Sequence, residues 1–89
     1  MEEQIKTDMK VLVLCASDGY EALYIDGKLI DESSPLGEGE TFMYLLRKSE
    51  EYGFRSTDVE SKYLTEEDNE MLMDTGNFPD DINELIGDY

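Results

Sequence analysis

The residues with the most chemistry to offer in this chain are carboxylates. Glu66, Glu67, Asp68, Glu70 and Asp74 crowd into one short stretch. If that stretch is helical, Glu67, Glu70 and Asp74 share one stripe, with Glu66 and Asp68 beside it. Glu67 to Asp74 then spans about 10 Å at the helical rise of about 1.5 Å per residue. Phosphates recur every ~3.4 Å along each strand of duplex DNA, so the two charge densities are of the same order. Such a row can be a solvated helix face, or an anionic contact surface that imitates a phosphate backbone. From Thr57 onward eleven acids stand against one base, Lys62; a solvated face remains the commoner use of such a charge run, and the asymmetry is what raises the contact surface above background.

Other chemistries lack their residues. The chain has no His, which removes His general bases, Ser-His-Asp and Cys-His arrangements and His-bearing zinc sites. Cys15 stands alone, so neither an internal disulfide nor a four-Cys zinc site is expected. Its neighbours Val13, Leu14 and Ala16 suggest a thiol packed inertly in a strand. Neither glycine-rich phosphate loop is present, and the acid in Gly37-Glu-Gly39 would repel phosphate. Glu66-Glu-Asp-Asn-Glu70 lacks the glycine and the alternation of a calcium loop, and Asp74-Thr-Gly-Asn77 puts glycine where a ligand belongs. Among 23 acids, close carboxylate pairs arise by chance. The expectation is a non-enzymatic protein with no cofactor and no metal.

Tyrosine is the second notable residue type. Six are present, and Tyr gives large contact area at low entropy cost. Tyr20, in a turn, and Tyr44, off the apolar stripe of its helix, are expected to be exposed and to join the partner-binding set. Partial burial in a small core without Trp is the other reading.

Charge narrows the partner. With 23 acids against 7 bases, the net charge is −16. Such a chain is repelled by nucleic-acid phosphates and by anionic lipid, so direct nucleic-acid or membrane binding is not expected. The partner it favours is a basic protein, and nucleic-acid-binding proteins are the natural class. Acidity that serves solubility alone is the bland alternative. The opening MEEQIKTD has no basic segment followed by an apolar run, and Val11–Ala16 is far too short to cross a bilayer. The expected setting is the cytosol.

The elements that must position these residues follow from pattern. At 89 residues there is room for one domain with one modest core. Residues 1–9 read as a polar lead-in and 10–89 as a single α+β domain. Lys10–Ser17 is a run of apolar and β-branched residues, a strand buried on both faces. A second strand runs through Leu23, Tyr24 and Ile25. Asp26-Gly27 then turns the chain into a third strand at Leu29-Ile30, because such a pair accepts φ > 0 at both central positions. Residues 31–39 read as loop. From Glu40 the spacing of Phe42, Leu45, Leu46 and Tyr52 predicts a helix with those residues inward and Gly53 as its cap. Phe54–Tyr63 predicts a fourth strand, with Val59, Ser61 and Tyr63 packed and Asp58, Glu60 and Lys62 wet. Thr65 followed by Asp68 resembles a capping box before a short helix over Glu66–Met73. Ile82, Leu85 and Ile86 suggest a last helical turn. The expected fold is an antiparallel sheet of three to four strands, in the order β-β-β-α-β, packed on one main helix.

Two stretches carry a resemblance. Tyr20-Glu-Ala-Leu-Tyr-Ile-Asp-Gly-Lys-Leu-Ile30 and Gly76-Asn-Phe-Pro-Asp-Asp-Ile-Asn-Glu-Leu85 resemble a hairpin and a tail found in small uncharacterised proteins of bacteria and their phages. No activity comes with that likeness. In general character, the chain is also similar to the acidic inhibitors that phages direct at host nucleases, anti-CRISPR proteins among them. Two readings therefore stand: an inhibitor that mimics nucleic acid at a basic site, or a generic interaction domain whose acids keep it soluble.

Overall fold

The computed structural model describes residues 9–33 and 40–89. Most of the lead-in and most of the loop expected at 31–39 lie outside the described residues. The elements are β1 (Val11–Cys15), β2 (Glu21–Ile25), β3 (Lys28–Ser33), α1 (Thr41–Tyr52), β4 (Val59–Tyr63) and α2 (Glu66–Thr75). Single 3₁₀ turns occupy Ser56–Asp58 and Ile82–Glu84. The α+β class and the β-β-β-α-β order stand as expected.

The sheet runs β3-β2-β1-β4. β1, β2 and β3 form an antiparallel meander, but β4 pairs with β1 in parallel, Val11 opposite Val59 and Cys15 opposite Tyr63. The sheet is therefore mixed rather than antiparallel. The cause is α1: a helical crossover carries the chain back, so β4 runs in the same direction as β3 and β1.

β1 is central and buried on both faces, as its sequence implies. Even-numbered Leu12 and Leu14 join Ala22, Tyr24, Leu64, Leu72, Phe78 and Leu85 on one side. Odd-numbered Val11 and Val13 join Leu23, Ile25, Tyr44 and Phe54 on the other. Three layers result, with α1 on the odd face of the sheet and α2 with the C-terminal segment on the even face. The Tyr24 hydroxyl donates to the Pro79 carbonyl, and Phe78 meets the Tyr24 ring edge-on at 6.3 Å, which ties that segment to the sheet.

The β2–β3 hairpin has the conformation its turn pair requires. Asp26 has φ 52° and Gly27 φ 84°. A Cβ added at Gly27 would also lie 3.4 Å from Ile82 Cγ2. Gly27→Val is expected to cost about 2 kcal/mol or more, since a left-handed conformation alone costs a β-branched residue roughly 1–2 kcal/mol. Urea unfolding checks this, and an unchanged midpoint would contradict it.

Three local expectations need correction. β3 extends to Ser33, into the stretch read as loop. β4 starts only at Val59, and its period-two pattern does not mark a packed face: Tyr63 is 80% exposed. It is an edge strand, with Glu60 to Tyr63 exposed. In α1 the buried side runs through Tyr44, with Leu45 and Lys48 half-buried, while Phe42 is 70% exposed. The Tyr44 hydroxyl donates to Asp31 Oδ2 at 2.9 Å, and Lys48 Nζ lies 5.5 Å from the Tyr44 ring centre. A side chain that buries its ring and also satisfies its polar tip wins the inner position over the wholly apolar Phe42.

Candidate functional site

α2 forms where its caps are strong. Thr65 Oγ1 accepts from Asp68 N at 3.2 Å, and Gly76 closes the helix in the left-handed region with its N–H on Leu72 O. Leu72 is buried and Met71 half-buried. Glu66, Glu67, Glu70 and Asp74 are exposed. Among the described residues, no ion pair involves any of these four. Acids in the first turn also complement the positive end of the helix dipole.

Asp68 does not belong to the exposed row. It is fully buried, and its carboxylate grips the end of the chain. Ile86 N donates to Oδ1 at 2.8 Å, Gly87 N to Oδ2 at 2.8 Å and the Tyr89 hydroxyl to Oδ2 at 2.7 Å. The Tyr89 oxygen in turn accepts from Thr65 N at 2.9 Å. This is a capping box with an insertion. Asp is one methylene shorter than the usual Glu, so its reach back to Thr65 N is relayed through a tyrosine hydroxyl. Burial alone would raise the Asp68 carboxyl, but the donors from Ile86, Tyr89, Gly87 and Thr65 outweigh it and hold the group below the usual carboxylate range. Burial, then the Asp68 hydrogen bond, keeps the Tyr89 hydroxyl protonated by raising it.

This clasp sets the surroundings of the acidic row. It fixes the C-terminal segment against α2, and Asp80, Glu84 and Asp88 on that segment are exposed. Between helix and segment lies a cleft of about 210 Å³ lined chiefly by Leu64, Met71, Leu72, Phe78 and Leu85, with Glu84 as a charged wall. Ligand pockets usually start near 300 Å³, so this cleft suits one side chain better than a small molecule. By the helical step, Glu67 and Asp74 flank Met71 and Thr75 of the cleft. A cationic side chain with an apolar stem fits such a slot. The cleft and Glu84 carry no sequence signature, because they depend on where Asp68 anchors the tail.

The tyrosines fall differently from expectation. Tyr44 is buried against the sheet and cannot meet a partner with its ring. Tyr20 is half-buried and stacks on Phe78 at 5.5 Å. Burial and then a hydrogen bond to Glu32 raise its hydroxyl. Tyr63 is the exposed ring on the sheet.

Cys15 is half-buried rather than enclosed, with Sγ 3.8 Å from Ser61 Oγ and 3.9 Å from Glu21 Oε2. Burial raises its thiol, the Ser61 hydrogen bond offsets part of that, and the Glu21 carboxylate raises it further. The sulfur is thus a thiol at neutral pH and a poor nucleophile. Alkylation of the folded protein at pH 7 is expected to run at least about tenfold slower than for unfolded chain; equal rates would contradict this placement.

Among the described residues, no group of three His, Cys, Asp or Glu side chains is placed to hold a metal ion. No described helix is long and apolar enough to cross a membrane. No family model matches the chain, and no curated protein or solved structure matches it. The chemistry of the face itself carries the functional reading.

Proposed function

We propose that this is a non-enzymatic binding protein that presents its α2 face to a basic protein partner, in imitation of nucleic acid. The observation behind this is the row Glu66, Glu67, Glu70 and Asp74, exposed and free of ion pairs among the described residues. Carboxylates left unneutralised on a rigid helix are preorganised for Lys and Arg. The adjoining apolar cleft gives such a partner a place for one aliphatic stem. A basic channel occupied in this way cannot hold DNA or RNA, so the protein acts as an inhibitor of a defence or DNA-handling protein, in the manner of anti-CRISPR proteins. It works in the cytoplasm, where such partners are found.

A second reading rests on a different surface. Phe42, Leu46 and Tyr63 are exposed apolar side chains on the α1 side of the sheet. They favour a generic interaction domain that meets its partner through apolar contacts, with the acids serving solubility.

Capture from a bacterial lysate separates the two. The immobilised protein is expected to retain nucleic-acid-binding proteins, which rising salt and added duplex DNA both release. Retention that neither salt nor DNA disturbs supports the apolar reading instead.

A further inference from the structure

The two edges of the sheet are not alike. At β3, Leu29 N donates to Asp80 O, Ile82 N donates to Gly27 O, and Lys28 bridges to Asp81, so the C-terminal segment covers the start of that edge. β4 has β1 on one side and, among the described residues, no strand on the other. Leu64 N donates to Cys15 O. In a parallel pair this means that even-numbered residues of β4 turn their backbone groups toward β1. Val59, Ser61 and Tyr63 therefore turn theirs outward.

We infer that a second copy of this chain pairs with that edge, β4 against β4 in antiparallel fashion about a two-fold axis at Ser61. The register follows from backbone geometry and charge together. Outward-facing residues must oppose outward-facing residues, which leaves axes at Glu60, Ser61 or Lys62. An axis at Glu60 sets Glu60 against its own copy, and one at Lys62 sets Lys62 against its own copy; both are like-charge pairs, which destabilise. The axis at Ser61 sets Glu60 against Lys62 of the partner twice over, and Val59 against the partner's Tyr63 twice over. Strand VESKY is self-complementary in this register and in no other.

The side chains agree. Val59, Ser61 and Tyr63 lie on the α1 side, as the Cys15–Ser61 contact shows. There Phe42, Leu45, Leu46, Phe54 and Val59 line an apolar groove of about 250 Å³. The partner's Tyr63, opposite Val59, comes to this groove, and its ring is 80% exposed in the single chain. The dimer is a continuous eight-stranded sheet, with both α1 helices on one face and both acidic α2 rows on the other. Lys62 Nζ also lies 3.4 Å from Tyr89 O, a weak exposed contact that the partner's Glu60 can replace.

Net charge opposes association, so salt is expected to strengthen the dimer by screening the repulsion between two chains of −16. Partner capture through the acidic row responds to salt in the opposite sense, so the two ideas fail independently. Sedimentation equilibrium from micromolar to millimolar protein, at low and high salt, is the test. Wild type is expected to dimerise. K62E, which sets Glu against Glu, is expected to weaken the dimer about tenfold or more. The swap E60K/K62E restores opposite charges and is expected to restore the dimer, although it also lacks the Lys62–Tyr89 contact. Circular dichroism verifies that each variant folds. A wild type that stays monomeric at millimolar concentration in high salt overturns the inference. So does a dimer indifferent to K62E, or one that E60K/K62E does not restore.

Discussion

Replacing Asp68 by Ala is expected to cost about 3–5 kcal/mol of folding stability, the usual loss when one partner of a buried charged network is removed. Three donors, Ile86 N, Gly87 N and the Tyr89 hydroxyl, lose their acceptor, and Thr65 N loses the relay that satisfies it. A domain of this size holds only about 5–15 kcal/mol in total. Each kcal/mol moves the midpoint by roughly 4–8 °C, so a fall of about 12 °C or more is expected in thermal unfolding. Asp68→Asn keeps the shape but brings an amide N–H₂ toward donors, and is expected to recover only part of the loss. Gly87→Ala probes the same clasp from the other side. An added Cβ would lie 2.6 Å from the Tyr89 ring, so the ring must leave its place on Asp68. A midpoint within a few degrees of wild type for D68A would show that the clasp is not formed.

The same clasp fixes a pH dependence. The Asp68 carboxyl is lowered in the folded state relative to its ordinary value of about 3.9. Its contribution is therefore fully present above that ordinary value and is lost as pH falls through the lowered folded value. The stability gap between wild type and D68A is expected to be constant near neutrality and to close in the acid range below about pH 4. Because Asp68 also positions the tail that forms the cleft, D68A is expected to weaken partner binding without touching the exposed row.

How much of this was legible depends on how local the cause is. The hairpin could be read because Asp26-Gly27 alone decides it, and β1 because Val11–Leu14 has no polar residue to expose. The parallel placement of β4 was not legible: VESKY alternates like a strand in a meander, and only the crossover through α1 sets its direction. The face of α1 misled because Phe42 and Leu46 look like core. Tyr44 takes the inner position through Asp31, a hydrogen bond between residues on different elements. Tyr63 misled for the matching reason, since period two does not tell an edge from a centre. In the candidate site, Glu66, Glu67, Glu70 and Asp74 were placed by helical spacing alone. Asp68 stood among them with no charge signal to set it apart. Its one mark was the box with Thr65, and the partner that completes that box, Tyr89, lies at the far end of the chain.

Reversal of Glu67 and Glu70 bears most directly on the proposed function. Both side chains are exposed on α2 with no ion pair among the described residues, so Glu67→Lys with Glu70→Lys leaves the fold intact. If a basic partner reads this face, each lost carboxylate removes roughly 0.5–1 kcal/mol at a rim position, and each new cation adds repulsion against the partner's own Lys and Arg. Together the two reversals are expected to weaken binding by about 2–4 kcal/mol at low salt, some thirtyfold or more. The effect shrinks at high salt, where the wild type itself binds less. The deciding measurement is the affinity of wild type and E67K/E70K for a captured nucleic-acid-binding protein, each at low and at high salt. A large loss at low salt that narrows at high salt is the expected result; equal affinities of the two proteins at both salts would contradict the nucleic-acid-mimic reading.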